Sequence, residues 1–133
     1  MSGIEKVLQF LDEAKTYYLA TTDGDQPRVR PFGTALVHDG KLYIQTGKVK
    51  EVSKQLAKNP KAEICAFHGG KWLRLSGELV DDDDRAARVA MLEKLPSLKA
   101  MYDPDDGNMQ TLYFKDAKAT ISSFTAAPET IEF

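Results

Sequence analysis

The feature that most restricts this chain's fold is its punctuation. Asp39-Gly40 and Gly69-Gly70 each stand between short runs rich in aromatic and β-branched residues, and such dipeptides supply the backbone angles that tight hairpin turns demand. Lys41–Thr46 is therefore expected to pair with the extended stretch Arg28–Val37, and Ala62–Phe67 with Lys71–Val80. Tyr17–Thr22 is a further strand, closed by the turn residues Asp23–Pro27. Thr111–Phe114 and Lys118–Phe124 read as a last long strand or bent hairpin, followed by a short strand at Glu129–Phe133.

Helical rhythm is confined to short pieces. Ser2 and Glu5 have capping-box spacing ahead of Ile4, Val7, Leu8, Leu11 and Ala14, which predicts a helix over residues 3–15. Val52, Leu56 and Ala57 repeat helically between Lys50 and Asn59, where Asn59-Pro60 stops them. Asp81–Asp84 place carboxylates at the start of a helix carrying Ala86, Val89, Ala90 and Leu92; Pro96 ends it, and a further turn holds Leu98 and Met101. Successive hairpins with few helices between them predict an α+β fold, an antiparallel barrel with peripheral helices, in one domain over residues 1–133.

Composition narrows the partners. The net charge is −2 and the pI about 5.7, so no global positive field attracts nucleic acid or an anionic membrane, and any anion site must be local. The first residues carry interspersed charges without an apolar leader core, and no run approaches the roughly 18 apolar residues of a spanning helix. Cys65 is the only cysteine, so no internal disulfide forms, and a reducing cytoplasm is the expected location.

Two segments carry candidate chemistry. In Arg28-Val29-Arg30-Pro31-Phe32-Gly33, alternation sends both arginines to one face of a strand and Val29 to the other. Pro31 cannot donate to a ladder and Gly33 admits close approach, so this strand is shaped either to meet a planar ring or simply to lie at a sheet edge with solvated arginines. The second segment, Gln45-Thr46-Gly47-Lys48-Val49-Lys50, passes from a strand into a helix start, where unpaired amides favour anions and Thr46, Lys48 and Lys50 add donors and charge. It also reads as an ordinary basic surface loop. A hairpin about Asp39-Gly40 would bring Arg30 near Thr46, within reach of one phosphate.

These segments, together with Tyr18–Gly24, Lys50–Pro60 and Trp72–Glu78, resemble the pyridoxamine 5'-phosphate oxidase-like family of FMN-binding split β-barrels, in its short Nim-type branch. The resemblance implies an antiparallel split β-barrel that dimerises with one flavin at each end of the shared interface. It implicates Arg28, Val29, Arg30, Pro31, Phe32, Gln45, Thr46 and Lys50 in holding FMN, beside Lys48 from the reading of the loop, with Trp72 and Arg74 as weaker candidates on a further strand. Many relatives carry a basic residue where Val52 falls, and here Lys50 is expected to serve instead. The chain stops at Phe133 without the arginine- and histidine-bearing segment of true pyridoxamine phosphate oxidases, so vitamin B6 oxidation is not expected.

Other residues read as structural. His38 and His68 lie beside turns, no cysteine or histidine stands at metal-ligand spacing, and Cys65 is expected to be a buried, inert thiol among apolar neighbours. The expected function is an FMN-dependent oxidoreductase acting on a small molecule, with the cofactor carrying the redox chemistry. A non-catalytic flavin-binding module, or a split barrel using F420 or haem, is the alternative.

Overall fold

The computed structural model describes residues 1–133. In chain order it runs α1 (Gly3–Ala14), β1 (Tyr17–Asp23), β2 (Gln26–Phe32), β3 (Leu36–His38), β4 (Lys41–Gly47), α2 (Glu51–Lys58), β5 (Lys61–His68), β6 (Lys71–Val80) and α3 (Arg85–Lys94). A 3-10 turn (Pro96–Ala100), β7 (Met109–Ser123) and β8 (Glu129–Glu132) complete it. This is an α+β fold, a split β-barrel whose strands run β2-β1-β5-β6-β7-β4-β3 with every pairing antiparallel, β8 adding to β7. No helix is long and apolar enough to cross a membrane.

Local chemistry accounts for the boundaries. The Ser2 hydroxyl accepts from the Glu5 amide at 3.3 Å, and Asp84 caps α3 by accepting from Ala86 at 2.9 Å. The other carboxylates of the Asp81–Asp84 run are spent nearby: Asp82 accepts the Tyr43 hydroxyl at 2.7 Å, and Asp83 pairs with Arg88 at 2.7 Å. Gly24, Gly40, Gly69 and Gly70 all take positive φ at the hairpin turns.

The main core lies inside the barrel, where Leu19, Ile64, Leu73 and Leu75 meet Val7 and Leu11 of α1 and Val52 and Leu56 of α2. A second, smaller cluster gathers Tyr43 and Met109 under Ala87, Met91 and Leu92 of α3. Strand β4 stands between the two clusters, so its residues are buried on both faces, which leaves no polar alternation in Leu42-Tyr43-Ile44.

Two expectations are corrected. Arg28–Val37 is not one strand paired with Lys41–Thr46: β2 pairs with β1, from Tyr17↔Phe32 to Asp23↔Gln26, and only Leu36–His38 pairs with β4. The turn at Asp39-Gly40 fixes only its immediate neighbours, while the Gly24-Asp25 turn folds β2 back on β1 and leaves β2 at the sheet edge. Cys65 is exposed rather than buried, because Ile64 and Ala66 take the inward positions of β5 and send the residue between them outward. Val52 is 5% exposed and belongs to the core.

Candidate functional site

Although β2 and β3 are the two ends of the sheet, only Gly33-Thr34-Ala35 separates them in sequence, so the barrel is split there. Thr34 ties this connector down. Its carbonyl accepts the Tyr17 hydroxyl at 2.7 Å, and its own hydroxyl accepts from the Gln45 amide at 3.0 Å. Burial holds the Tyr17 hydroxyl well above tyrosine's ordinary pKa, so it remains a donor.

A cleft of about 160 Å³ opens at this seam. Pro31, Phe32, Gly33 and Thr34 form one wall, Gln45, Thr46 and Lys50 the floor and end, and Leu98 of the 3-10 turn with Met101 and Tyr102 just after it the lip. Gln45 is held in place by donating its side-chain amide to the Thr46 carbonyl at 3.0 Å. Behind it, across the β4–β7 pair, Thr111 carries a fully buried hydroxyl with no hydrogen-bond partner.

A second cleft, about 490 Å³, lies between the β1–β2 turn and α2. It has no hydrophobic lining residue, and its walls include Asp23, Glu51, Lys54, Gln55 and Lys58. Asp23 is engaged by Arg28 at 3.2 Å and Glu51 by Lys54 at 3.3 Å, whereas Lys58 has no carboxylate within ion-pair distance.

Arg30 lines neither cleft itself, but its chain neighbour Pro31 lines the seam cleft and its partner Gln55 the polar one. Arg30 donates through Nη1 to the Leu19 carbonyl at 3.1 Å and the Thr21 hydroxyl at 2.7 Å, and through Nη2 to Gln55 Oε1 at 2.8 Å. Thr21 in turn donates to the same Gln55 oxygen at 2.6 Å. The other four arginines each face a carboxylate within 4 Å, but every acceptor of Arg30 is neutral. Burial, and to a lesser degree the Arg28 charge, lower its pKa from the ordinary arginine value; a guanidinium still stays protonated at neutral pH. The result is a half-buried cation without a counter-ion.

The seam thus gathers Pro31, Phe32, Gln45, Thr46 and Lys50, while Arg30, next to Pro31 in the chain, turns to Thr21 and Gln55. It does not gather the rest. Arg28 turns to Asp23, Val29 faces outward at 67% exposure, and Lys48 is exposed beyond the end of β4. Trp72 lies on β6, separated from β2 by β1 and β5, and packs on Phe124 with ring centres 5.1 Å apart. Sequence reading missed Thr34, Tyr102, Thr21 and Gln55. Only Gln55 left a trace, as a polar residue three after Val52 and one before Leu56, on the apolar side of α2. No group of three His, Cys, Asp or Glu side chains is close enough to hold a metal ion.

The outward face of the β2-β1-β5-β6 half sets exposed apolar side chains around the Arg74–Glu63 ion pair. Register places Val29 and Pro31 beside Ala20 and Tyr18, Tyr18 beside Cys65, and Phe67 beside Trp72. Tyr18 is 52% exposed, Phe67 66% and Phe124 90%.

A sequence profile of the pyridoxamine 5'-phosphate oxidase family matches residues 4–120. A solved NimC/NimA family protein from Clostridium acetobutylicum is 46% identical, with TM-score 0.95 over 100% of this chain and 95% of that one. An FMN-binding, pyridoxamine 5'-phosphate oxidase-related protein from Nostoc punctiforme shares the fold at 16% identity and TM-score 0.68, covering 98% of this chain and 95% of its own. A heme-binding protein from Mycobacterium smegmatis does so at 18% and 0.75, covering 99% of this chain and 58% of its own. No curated protein matches the chain.

Proposed function

Because this chain belongs to the pyridoxamine 5'-phosphate oxidase family, in its NimC/NimA branch, we propose that it is a homodimeric flavoprotein that binds FMN along β2 and oxidises or reduces a small molecule there. The observation that carries the reading is the seam. The end of β2 at Pro31 and Phe32, with Gly33 after it, meets Gln45, Thr46 and Lys50 in one cleft, and the uncompensated charge of Arg30 is one residue along the strand, held by Gln55. The ring of the cofactor fits against Pro31–Gly33, Gln45 and Thr46 offer polar contacts to its edge and ribityl chain, and Arg30 supplies charge for its phosphate. Once bound, the flavin supplies electron transfer; the protein's role is to hold and orient it.

The seam cleft is too small to enclose such a ligand, since ligand pockets are typically about 300–1,000 Å³. A second copy of the chain supplies the missing wall in this reading. The outward face runs up to β2 and exposes Tyr18, Val29 and Phe67, large apolar side chains of the kind that mark an interaction surface when they cluster. Trp72, remote from its own seam, then reaches the site of the partner. The exposed, unpaired Cys65 fits a reducing cytoplasm.

Met101 and Tyr102 on the cleft's lip favour one other cofactor, since both side chains are haem-iron ligands in other proteins. Purified protein separates the two: its visible spectrum, and the mass of the ligand it releases, should be those of FMN, and a haem spectrum would replace this reading. Anaerobic mixing of the loaded protein with NADH or NADPH and small nitroaromatic or quinone acceptors should then give turnover. Its failure with every donor points to a flavin-binding module.

A further inference from the structure

The two nitrogens at the end of the Arg30 guanidinium are both engaged. Nη1 meets Thr21 Oγ1, Nη2 meets Gln55 Oε1, and those oxygens are themselves 2.6 Å apart, so they cap the end of the fork as a pair. Nη1 gives its second hydrogen to the Leu19 carbonyl. That leaves the side edge, Nε–H with the remaining Nη2–H, without an acceptor. Two parallel N–H groups on one edge match two oxygens of a phosphate or carboxylate.

The orientation of Gln55 follows from the same network. Its oxygen accepts from both Arg30 and Thr21, so its amide nitrogen points away from them, and Gln55 lines the polar cleft beside α2. The acidic groups of that cleft are already paired, Asp23 with Arg28 and Glu51 with Lys54, and Lys58 is not. What remains unbalanced there is positive.

A glutamate at position 55 would make the same contacts and give the half-buried guanidinium a counter-ion. The chain instead has the neutral isostere. We propose that Gln55 is a positioning residue for anion binding: with Thr21 it pins the end of Arg30, leaving the side edge of the guanidinium charged and open to the terminal phosphate of the ligand. The phosphate end of the site then lies at Arg30 and Gln55, on the α2 side, and not at Lys48 or Lys50. This rests on the flavin reading for the identity of the ligand, but the fork itself is a property of Arg30, Thr21 and Gln55.

Gln55→Glu tests it, with FMN, riboflavin and inorganic phosphate as probes. Flavin fluorescence titration should show FMN binding weakened tenfold or more, riboflavin binding within twofold of the native chain, and thermal stability of the unloaded protein equal or higher. Equal loss of both flavins, or unchanged FMN binding, overturns the proposal. Should Gln55→Glu fail to fold, Gln55→Met removes the acceptor without adding charge. It should weaken FMN several-fold and spare riboflavin, and the same two contrary outcomes overturn the proposal. Inorganic phosphate separates this from the cofactor assignment. If the native chain binds neither flavin but is stabilised by phosphate, and Gln55→Glu abolishes that stabilisation, the fork stands and the flavin reading falls. If neither flavins nor phosphate bind, both fall.

Discussion

Gly77 lies against Lys115 where the β6–β7 register shifts between Ser76 and Glu78: a β-carbon on Gly77 would stand 2.9 Å from the Lys115 carbonyl oxygen and 3.2 Å from the Phe114 ring. Neither neighbour can yield easily, one being backbone and the other a core side chain at 4% exposure. Gly77→Ala should therefore lower stability by about 1–3 kcal/mol, the usual cost of forcing extra volume into a packed site. Urea unfolding with an unchanged slope is the measurement, and a midpoint equal to the native one would refute the close contact.

The orphaned hydroxyl of Thr111 gives a prediction of opposite sign. Replacing a buried, unsatisfied group by an apolar one of the same shape relieves its desolvation cost, so Thr111→Val should stabilise the protein by about 1 kcal/mol. Thermal and urea melts should both move upward.

Alkaline pH should unfold the protein through its buried tyrosines. Burial raises the pKa of Tyr17 and of Tyr43 in the folded state, the latter helped by its bond to Asp82. Both folded and unfolded states are protonated below about pH 10, so this share of the stability is intact there. Above it the unfolded chain loses protons that the folded one keeps, and stability falls as pH rises. Tyr17→Phe should cost about 1 kcal/mol at neutral pH, from the bond to Thr34, and shallow the alkaline decline without abolishing it, because Tyr43 remains.

Lys50 and Arg28 should separate cleanly in flavin titrations. Lys50 lines the seam cleft, and Lys50→Met should weaken FMN and riboflavin alike, by about 1.5–3 kcal/mol if its ammonium makes a charge-assisted contact. Arg28 already has a carboxylate partner in Asp23 on the surface, so Arg28→Ala should leave both flavins within about 1 kcal/mol of native affinity.

Phe67→Asp places a charge in the apolar outward face of β5. Sedimentation should show a dimer for the native chain and a monomer for this variant, with flavin affinity falling in step as the second wall is lost. A native chain that sediments as a monomer, or a dimer that survives the substitution, would remove this face as the interface.

The strands and helices were legible in the sequence because their signals are local: Gly-containing turns, the Ser2 cap, the stop at Asn59-Pro60. Strand pairing was legible only across a tight turn. The break at Gly33–Ala35 carries no strong turn signal, so Arg28–Val37 looked continuous, and the pairing of β2 with β1 rested on Gly24, a turn read only as the end of a strand. The seam residues of β2 and β4 were legible as types, but Leu98, Met101 and Tyr102 join them from more than fifty residues beyond β4 with no periodicity to announce it. Cys65 was misjudged because apolar neighbours in a strand say which face is inward, not that the residue between them shares it.

The connector Gly33–Ala35 also has a consequence for dynamics. Because β2 is zipped to the ladder along one side only, its other margin holds backbone amides that no strand of the same chain protects. Those amides should exchange with solvent deuterium quickly in the isolated subunit. Their slowing would make this margin an internal reporter of whatever comes to lie along it.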